Sequence, residues 1–225
     1  MILVKELQKK YVAGADNVTV ALHVPYLKIA DGAQLAVVGP SGSGKSTLLQ
    51  CLAGIITPTA GDIWIGEDNV KTWSEKKKAQ WRGANLGYIF QELNLLPSLT
   101  VMDNIVAGLY FAGKSITGKR RRWIAELLQL VGLAGFEEKL PQTMSIGEQQ
   151  RVAVVRALAK TPTVIFADEP TASLDSENSL LVIRLIQDYC KQKNAVCLVA
   201  THDETIKASF NTKVVLVKGG VAHAD

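Results

Sequence analysis

The amino-acid sequence predicts an α/β fold: a mostly parallel core sheet with covering helices, entered through strands and interrupted by a helical insertion. Three observations carry this. Short continuous apolar runs recur at Leu35–Val38, Val164–Ala167, Ala195–Ala200 and Val214–Val217, as expected of strands buried on both faces. Helical periodicities separate the later runs. Residues near 92–160 show helical patterns alone, which places an inserted helical unit between two halves of the sheet.

The elements follow in order. Val18, Val20, Leu22 and Val24 alternate with Asn17, Thr19, Ala21 and His23, the period of a half-buried strand that Pro25 is expected to end. Leu35–Val38 runs into Gly39-Pro40-Ser41-Gly42-Ser43-Gly44, and Lys45 to Ala53 reads as a helix stopped by Gly54. Asp62–Ile65 and Leu86–Phe90 are strand candidates. Ile124, Leu127, Leu128 and Val131 fall at i, i+3, i+4, i+7 before Gly132, an amphipathic helix with a stop signal. A further helix follows Ser145. Between the apolar runs at 164 and 195, Leu181, Leu185 and Tyr189 are expected on the buried face of one more helix.

Composition bounds what such a chain can be. At 225 residues, 48% hydrophobic and 20% charged, it can bury one sizeable core and reads as a single domain. No apolar run approaches the roughly 20 residues of a membrane span, and the N-terminus shows no signal-peptide pattern. Cys51, Cys190 and Cys197 lack metal-ligand spacing and fit buried thiols of a reducing compartment. A net charge of +4 is too mild to argue for nucleic acid.

Gly39 to Ser46 fits the pattern G-x-x-x-x-G-K-[ST]. Polyphosphate needs many backbone N–H donors aimed at one spot, and Gly42 and Gly44 permit that curvature. The following helix adds its positive end. Lys45 can reach the β- and γ-phosphates, and the Ser46 hydroxyl can ligate Mg²⁺. A flexible Gly/Ser turn would use similar residues; the buried strand before and the helix after favour nucleotide binding.

Two more strand ends carry chemistry. Val164–Ala167 ends in Asp168 and Glu169, where an open α/β sheet places its ligands. Asp168 is expected to hold Mg²⁺ through water, and Glu169 to orient or deprotonate an attacking water. Without the phosphate loop the pair would read as a solvated turn before Pro170. His202 follows the Ala195–Ala200 run in the same way and is a candidate γ-phosphate contact; His23 and His223 receive no role. Met144-Ser145-Ile146-Gly147-Glu148 contains a capping box, with Ser145 as N-cap and Glu148 as its reciprocal partner. The segment reads either as a well-capped surface helix or as a second anion site, one that could meet a nucleotide held by a second copy.

In this order the motifs resemble the nucleotide-binding subunit of the ATP-binding-cassette (ABC) transporters, over nearly the whole chain. Gly39–Ser46 is similar to the Walker A motif, Gln91 to the Q-loop glutamine, Ser145–Gln149 with Gln150 and Arg151 to the signature motif. Asp168 and Glu169 are similar to Walker B and the catalytic glutamate, Ser173-Leu174-Asp175 to the D-loop, and His202 to the switch histidine. Tyr11 is placed like the aromatic that stacks on adenine, with a core strand aromatic as the other reading.

The resemblance implies a P-loop NTPase fold with a mostly parallel core sheet, an N-terminal antiparallel β-subdomain and an inserted α-helical subdomain. Residues 1–91 and 161–225 would form the core with its β-subdomain, and 92–160 the helical arm. It implies catalytic roles for Glu169, His202, Gln91 and Lys45. Ser46, Gln91 and Asp168 would serve Mg²⁺. Nucleotide contacts would come from Tyr11, Gly39, Ser41, Gly42, Ser43, Gly44, Lys45, Ser46, Thr47, Ser145, Gly147, Glu148 and Asp175. The expected activity is ATP hydrolysis by a head-to-tail dimer closed on two Mg-ATP. That dimer would drive a separate transmembrane permease from the cytoplasmic face of the membrane. The Gln91 region and the helices to Leu109 would receive the permease.

Two departures stand out. Met144 replaces leucine, a nearly volume-conserving change. Ile146 replaces a usual glycine, where β-branching restricts the backbone and blocks close approach. The segment Gly87–Pro97 resembles the group of macrolide exporters, lipoprotein-release ATPases and cell-division ATPases, which points to export or mechanical work. The chain also shows no long C-terminal regulatory domain of the kind some importers carry. A soluble ABC ATPase of repair or translation, or a weakly catalytic signalling cassette, are the alternatives. The basic runs Lys76–Lys78 and Lys119–Arg122 read as solvated faces, the second also as a candidate contact for anionic lipid.

Overall fold

The computed structural model describes residues 1–12, 18–217 and 220–224. Asn17, Gly219 and the side chain of His223 lie outside that description. The chain begins with β1 (Ile2–Val12), β2 (Val18–Ile29) and β3 (Gln34–Val38), followed by α1 (Lys45–Leu52). Then come β4 (Ala60–Ile65), β5 (Asp68–Asn69), α2 (Glu75–Asn85) and β6 (Leu86–Ile89). Three helices occupy the middle: α3 (Val101–Phe111), α4 (Gly118–Leu130) and α5 (Ile146–Ala159). The remainder is β7 (Val164–Asp168), α6 (Ser176–Lys193), β8 (Val196–Thr201), α7 (Glu204–Ala208), β9 (Thr212–Val217) and β10 (Gly220–Ala224).

Two sheets result. One has the order β2-β1-β4-β5 and is antiparallel throughout. The other has the order β10-β9-β3-β8-β7-β6 and is parallel except for β10. The parallel strands are apolar through their middles because both faces are covered, with polar residues such as Gln34, Asp168, Thr201 and Lys213 at or near their ends. In β7, Ile165 and Ala167 join a core shared with α3–α6, whereas Val164 and Phe166 join the core shared with α1 and the antiparallel sheet. Strands β3 and β8 divide their side chains in the same way.

Three expectations need correction. Pro25 does not end its strand; β2 runs on to Ile29. This strand is an edge of its sheet, so the missing N–H of proline costs no ladder bond. The alternation also fails at Val20, which is 43% exposed. A register shift between Lys9 and Lys10 turns the residues beyond it to the other face. In α6 the buried stripe is Val182, Ile183, Ile186, Tyr189 and Cys190, while Leu181 is exposed and Leu185 only partly covered. The 1-3-3-1 spacing of that stripe tracks the helix better than the strict four-residue spacing expected.

Helices α2 and α7 were not foreseen. Helix α2 buries no residue and so leaves no apolar stripe to read. Its N-cap Ser74 accepts a hydrogen bond from the Lys77 backbone, and Lys77 and Lys78 pair with Asp68 and Glu75 at 2.9 and 2.8 Å. The basic run Lys76–Lys78 is thus a partly neutralised surface. The three cysteines are free and buried, as expected. Met144 is 7% exposed and sits in the core, which accommodates the exchange for leucine.

Candidate functional site

The ends of three parallel strands meet. Val38 at the end of β3 pairs with Thr201 at the end of β8, and Asp168 at the end of β7 pairs with Ala200. The loops leaving these strands therefore converge at one edge, the carboxyl edge, where open sheets bind ligands. A cleft of about 610 Å³ opens there. Ser41, Gly42, Ser43, Gly44, Lys45, Ser46 and Thr47 form one wall. Gln91, Glu169 and His202 face them, with Ala21 of β2 and Ala172 at the margins.

The loop geometry depends on glycine. Gly44 caps α1 with φ +98°, and a Cβ there would lie 2.4 Å from the carbonyl oxygen of Ala21. At Gly39 a Cβ would lie 2.3 Å from the carbonyl oxygen of Leu216. Gly42 has φ +75° but open space around it. Lys45 folds into the loop and donates to the carbonyls of Gly39 and Pro40 at 2.9 and 3.3 Å. The Ser43 hydroxyl is buried without a partner, so Ser43 serves the cleft through its backbone rather than its side chain.

Glu169 is held from several sides. It sits at φ +47°, a strained value for a residue with a Cβ. Its N–H donates to the Ala200 carbonyl at 2.9 Å, and its own carbonyl accepts from Ala172 N–H and from Gln150 Nε2, both at 3.2 Å. Oε1 lies 2.9 Å from His202 Nδ1 and 4.0 Å from Lys45 Nζ. Asp168 is 4% exposed, and its Oδ1 has no hydrogen-bond partner. Burial raises its carboxyl above the ordinary range; the Ser46 hydroxyl and Lys45 pull it down, and Glu169 adds to the rise.

Ser145, Gly147, Glu148 and Asp175 do not line this cleft. Ser145 and Glu148 form the expected capping box at the start of α5: Ser145 N–H donates to Glu148 Oε2 at 2.7 Å, and Glu148 N–H donates to Ser145 Oγ at 3.2 Å. The hydrogen bonds that the Ser145 N–H and the Ser145 hydroxyl donate to Oε2 hold the Glu148 carboxyl below its usual range. Gly147 packs against Ser173 and Leu174, where a Cβ would come within 3.2 Å of both. Asp175 caps α6, accepting from Asn178 N–H at 2.8 Å. Ile146 opens α5 in helical conformation and is 63% exposed. Tyr11 is 46% exposed beyond the β1 register shift; the core reading of that ring is wrong, and Tyr11 is not among the residues that line the cleft.

The family model described as "ABC transporter" matches residues 22–172. The chain belongs to the ABC transporter family. Among curated relatives of this ABC chain, the lipoprotein-releasing system ATP-binding protein LolD of Idiomarina loihiensis is 37% identical, over 98% of this chain and 96% of the relative. The ABC transporter ATP-binding protein YtrE of Bacillus subtilis is 38% identical, over 92% and 91%. Among solved structures, the dimeric ABC transporter cassette MJ0796, a protein of Methanocaldococcus jannaschii, superposes with a TM-score of 0.93 at 32% identity, covering 100% of this chain and 98% of the other. A second MJ0796 dimer, described as a post-hydrolysis state bound to ADP and Pi, gives 0.92 at 32% identity, with the same coverage.

Gln150 is a residue of this ABC site to which the sequence assigned no contact. It is 1% exposed, on α5, and reaches the carbonyl of Glu169. Further along the same helix, Arg156 donates to the carbonyls of Asn94 and Leu93 at 2.6 and 2.7 Å, in the segment that follows Gln91. Asn104 of α3 secures that segment from the other side through Leu96, Leu99 and Thr100. Only the surrounding pattern, a polar residue one turn into an otherwise apolar helix face, hinted at Gln150.

Proposed function

We propose that this chain is the ATP-binding and ATP-hydrolysing subunit of an ABC transporter, working as a head-to-tail pair on two Mg-ATP. The observation that carries it is the division of the motifs. Phosphate loop, Glu169, Gln91 and His202 share one cleft, while Ser145 and Gly147 start a helix that faces elsewhere. A second copy would bring that helix N-terminus, with its unsatisfied N–H groups, onto the nucleotide of the first. Asp175 and Glu148 would border the same junction, and the exposed ring of Tyr11 is available to the base.

In this reading the loop N–H groups and Lys45 bind the β- and γ-phosphates. Glu169 orients the attacking water and takes its proton at the carboxylate, and His202 holds Glu169 in place and reaches toward the γ-phosphate. Gln91 completes the rim. The orphaned, buried Oδ1 of Asp168 beside the Ser46 hydroxyl fits a cation. Among the described residues no three His, Cys, Asp or Glu come together, so the remaining ligands would be Gln91, oxygens of the nucleotide and water. Mg²⁺ held there would supply neutralisation of the phosphate charge.

Residues 92–160 are the arm of this reading, and 1–91 with 161–225 the core. Helix α5 links the parts. Ser145, Gln150 and Arg156 sit on one rigid element about 21 Å long, touching in turn the partner's nucleotide, Glu169 and the segment after Gln91. A groove of about 350 Å³ between Phe90, Leu96, Gly108 and Arg156 is suited to a helix of the permease. Among the described residues no helix is long and apolar enough to cross a membrane. The relatives matched over nearly their whole length are named as ATP-binding proteins of transport systems, which supports a permease on a separate chain with this one peripheral on the cytoplasmic face. The names of the LolD relatives support placing the system with exporters and machines that perform mechanical work.

The purified chain is expected to hydrolyse ATP and to co-purify with a polytopic membrane protein that changes the rate. No turnover with or without that partner would overturn the reading. A second test addresses the Glu169 carbonyl. Gln150→Met keeps the volume and removes the donor. One such bond is worth about 1.5 kcal/mol, so kcat should fall roughly tenfold, with the KM for ATP and the melting temperature close to wild type. An unchanged kcat would remove Gln150 from the positioning of Glu169.

A further inference from the structure

The charge of this chain is concentrated. The net formal charge is +4, yet residues 104–125 contain Lys114, Lys119, Arg120, Arg121 and Arg122 and no Asp or Glu. That segment is +5 by itself, which leaves the remainder of the chain at −1. Lys114 serves the fold, donating to the carbonyls of Ala84 and Lys160. The other four open α4. Arg120 is tied to the Ser115 carbonyl, whereas Lys119, Arg121 and Arg122 are exposed. Among the described residues none of these four makes an ion pair. Lys77 and Lys78 do, so an unpaired basic run is not the general rule on this surface.

Large apolar side chains stand exposed beside these charges. Tyr110 and Phe111 at the end of α3 are 79% and 82% exposed, and Ile116 in the turn is 38% exposed. The two rings meet edge to face with centroids 5.9 Å apart. On the far side, Lys119, Arg122 and Trp123 border an open cleft of about 800 Å³ shared with Lys193. Aromatic rings and unpaired cations in one short turn are the two signals that together hold a protein on an anionic bilayer. A patch of this kind needs no register with its partner, which suits a field of headgroups.

We propose that the α3–α4 turn, from Tyr110 to Arg122, docks on an anionic phospholipid surface, with the rings among the headgroups and Lys119–Arg122 on the phosphates. That the turn faces the membrane rests on the transporter reading, because the groove assigned to the permease adjoins it. The lipid affinity itself does not depend on ATP turnover, so the two can fail separately.

Co-sedimentation of the full chain with vesicles of phosphatidylcholine alone, or mixed with phosphatidylglycerol, tests this. Binding is expected only to the mixed vesicles and is expected to vanish in 1 M salt, where the Debye length is about 3 Å. At about fivefold per charge near the surface, replacing Lys119, Arg120, Arg121 and Arg122 with Gln should weaken binding by about 600-fold. Tyr110→Ser with Phe111→Ser should weaken it several-fold. Lys76, Lys77 and Lys78 replaced with Gln should leave it within about twofold. ATP hydrolysis without vesicles should match wild type in all three variants, which confirms that they fold. Wild type that ignores phosphatidylglycerol, a quadruple variant that still binds, or an equal loss in the Lys76–Lys78 variant would each overturn the proposal. In the first case the charge would point to an acidic protein segment instead.

Discussion

Glu169→Gln should lower ATP turnover by about 10²-fold or more while leaving ATP binding intact. The amide has the shape of the carboxylate, so it can keep the backbone bonds at Ala200, Ala172 and Gln150 and stay beside His202. It cannot accept the proton of an attacking water, and a positioned general base is typically worth 10²–10⁴-fold. The substitution also removes a negative charge next to Asp168 and 4.0 Å from Lys45. A γ-phosphate placed in this cleft would then meet less repulsion, so a nucleotide-bound dimer should accumulate rather than dissociate. Phosphate release measures the first effect, and light scattering with ATP measures the second. Turnover within a few-fold of wild type would remove Glu169 from the chemistry, whatever else the cleft does.

Much of this site is legible in the sequence because its parts are local. A phosphate loop needs glycines at fixed offsets, a strand before and a helix after, and all lie within some twenty residues. Parallel strands are legible because two covered faces demand an unbroken apolar run. Elements whose reasons lie elsewhere in the fold are less so. Pro25 continues a strand because that strand is an edge. Val20 and Tyr11 turn outward because of a register shift at Lys9. The stripe of α6 is set by what it packs on, and α2 has no stripe at all. The positive φ of Glu169 and its bond from Gln150, 19 residues away in sequence, exist only after α5 docks beneath β7. Ser145 and Gly147 are legible as a motif, but their separation from the cleft is a property of the folded chain.

Gly44→Ala should destabilise the nucleotide-free protein far more than Gly42→Ala, although both change one glycine of the same loop to the smallest side chain. Both residues have positive φ, +98° and +75°, and a left-handed conformation costs an L-residue about 1–2 kcal/mol. The difference is in what surrounds them. A methyl at Gly42 meets nothing within 4 Å, whereas one at Gly44 comes within 2.4 Å of the Ala21 carbonyl oxygen and 3.3 Å of Leu22 Cδ1. The carbonyl belongs to β2 and cannot rotate away without shifting a strand whose Leu22 and Val24 are fully buried. Overpacking of that kind adds about 1–3 kcal/mol. At about 2–4 °C per kcal/mol for a chain of this size, Gly44→Ala should lower the melting temperature by roughly 10 °C, and Gly42→Ala by about 2–8 °C. Because the loop would have to move away from β2 to make room, its N–H groups would no longer converge, so Gly44→Ala should also lose nucleotide affinity by on the order of 10²-fold. Equal melting temperatures for the two variants would mean that the loop does not rest on β2, and the wall of the cleft at Ala21 would have to be redrawn.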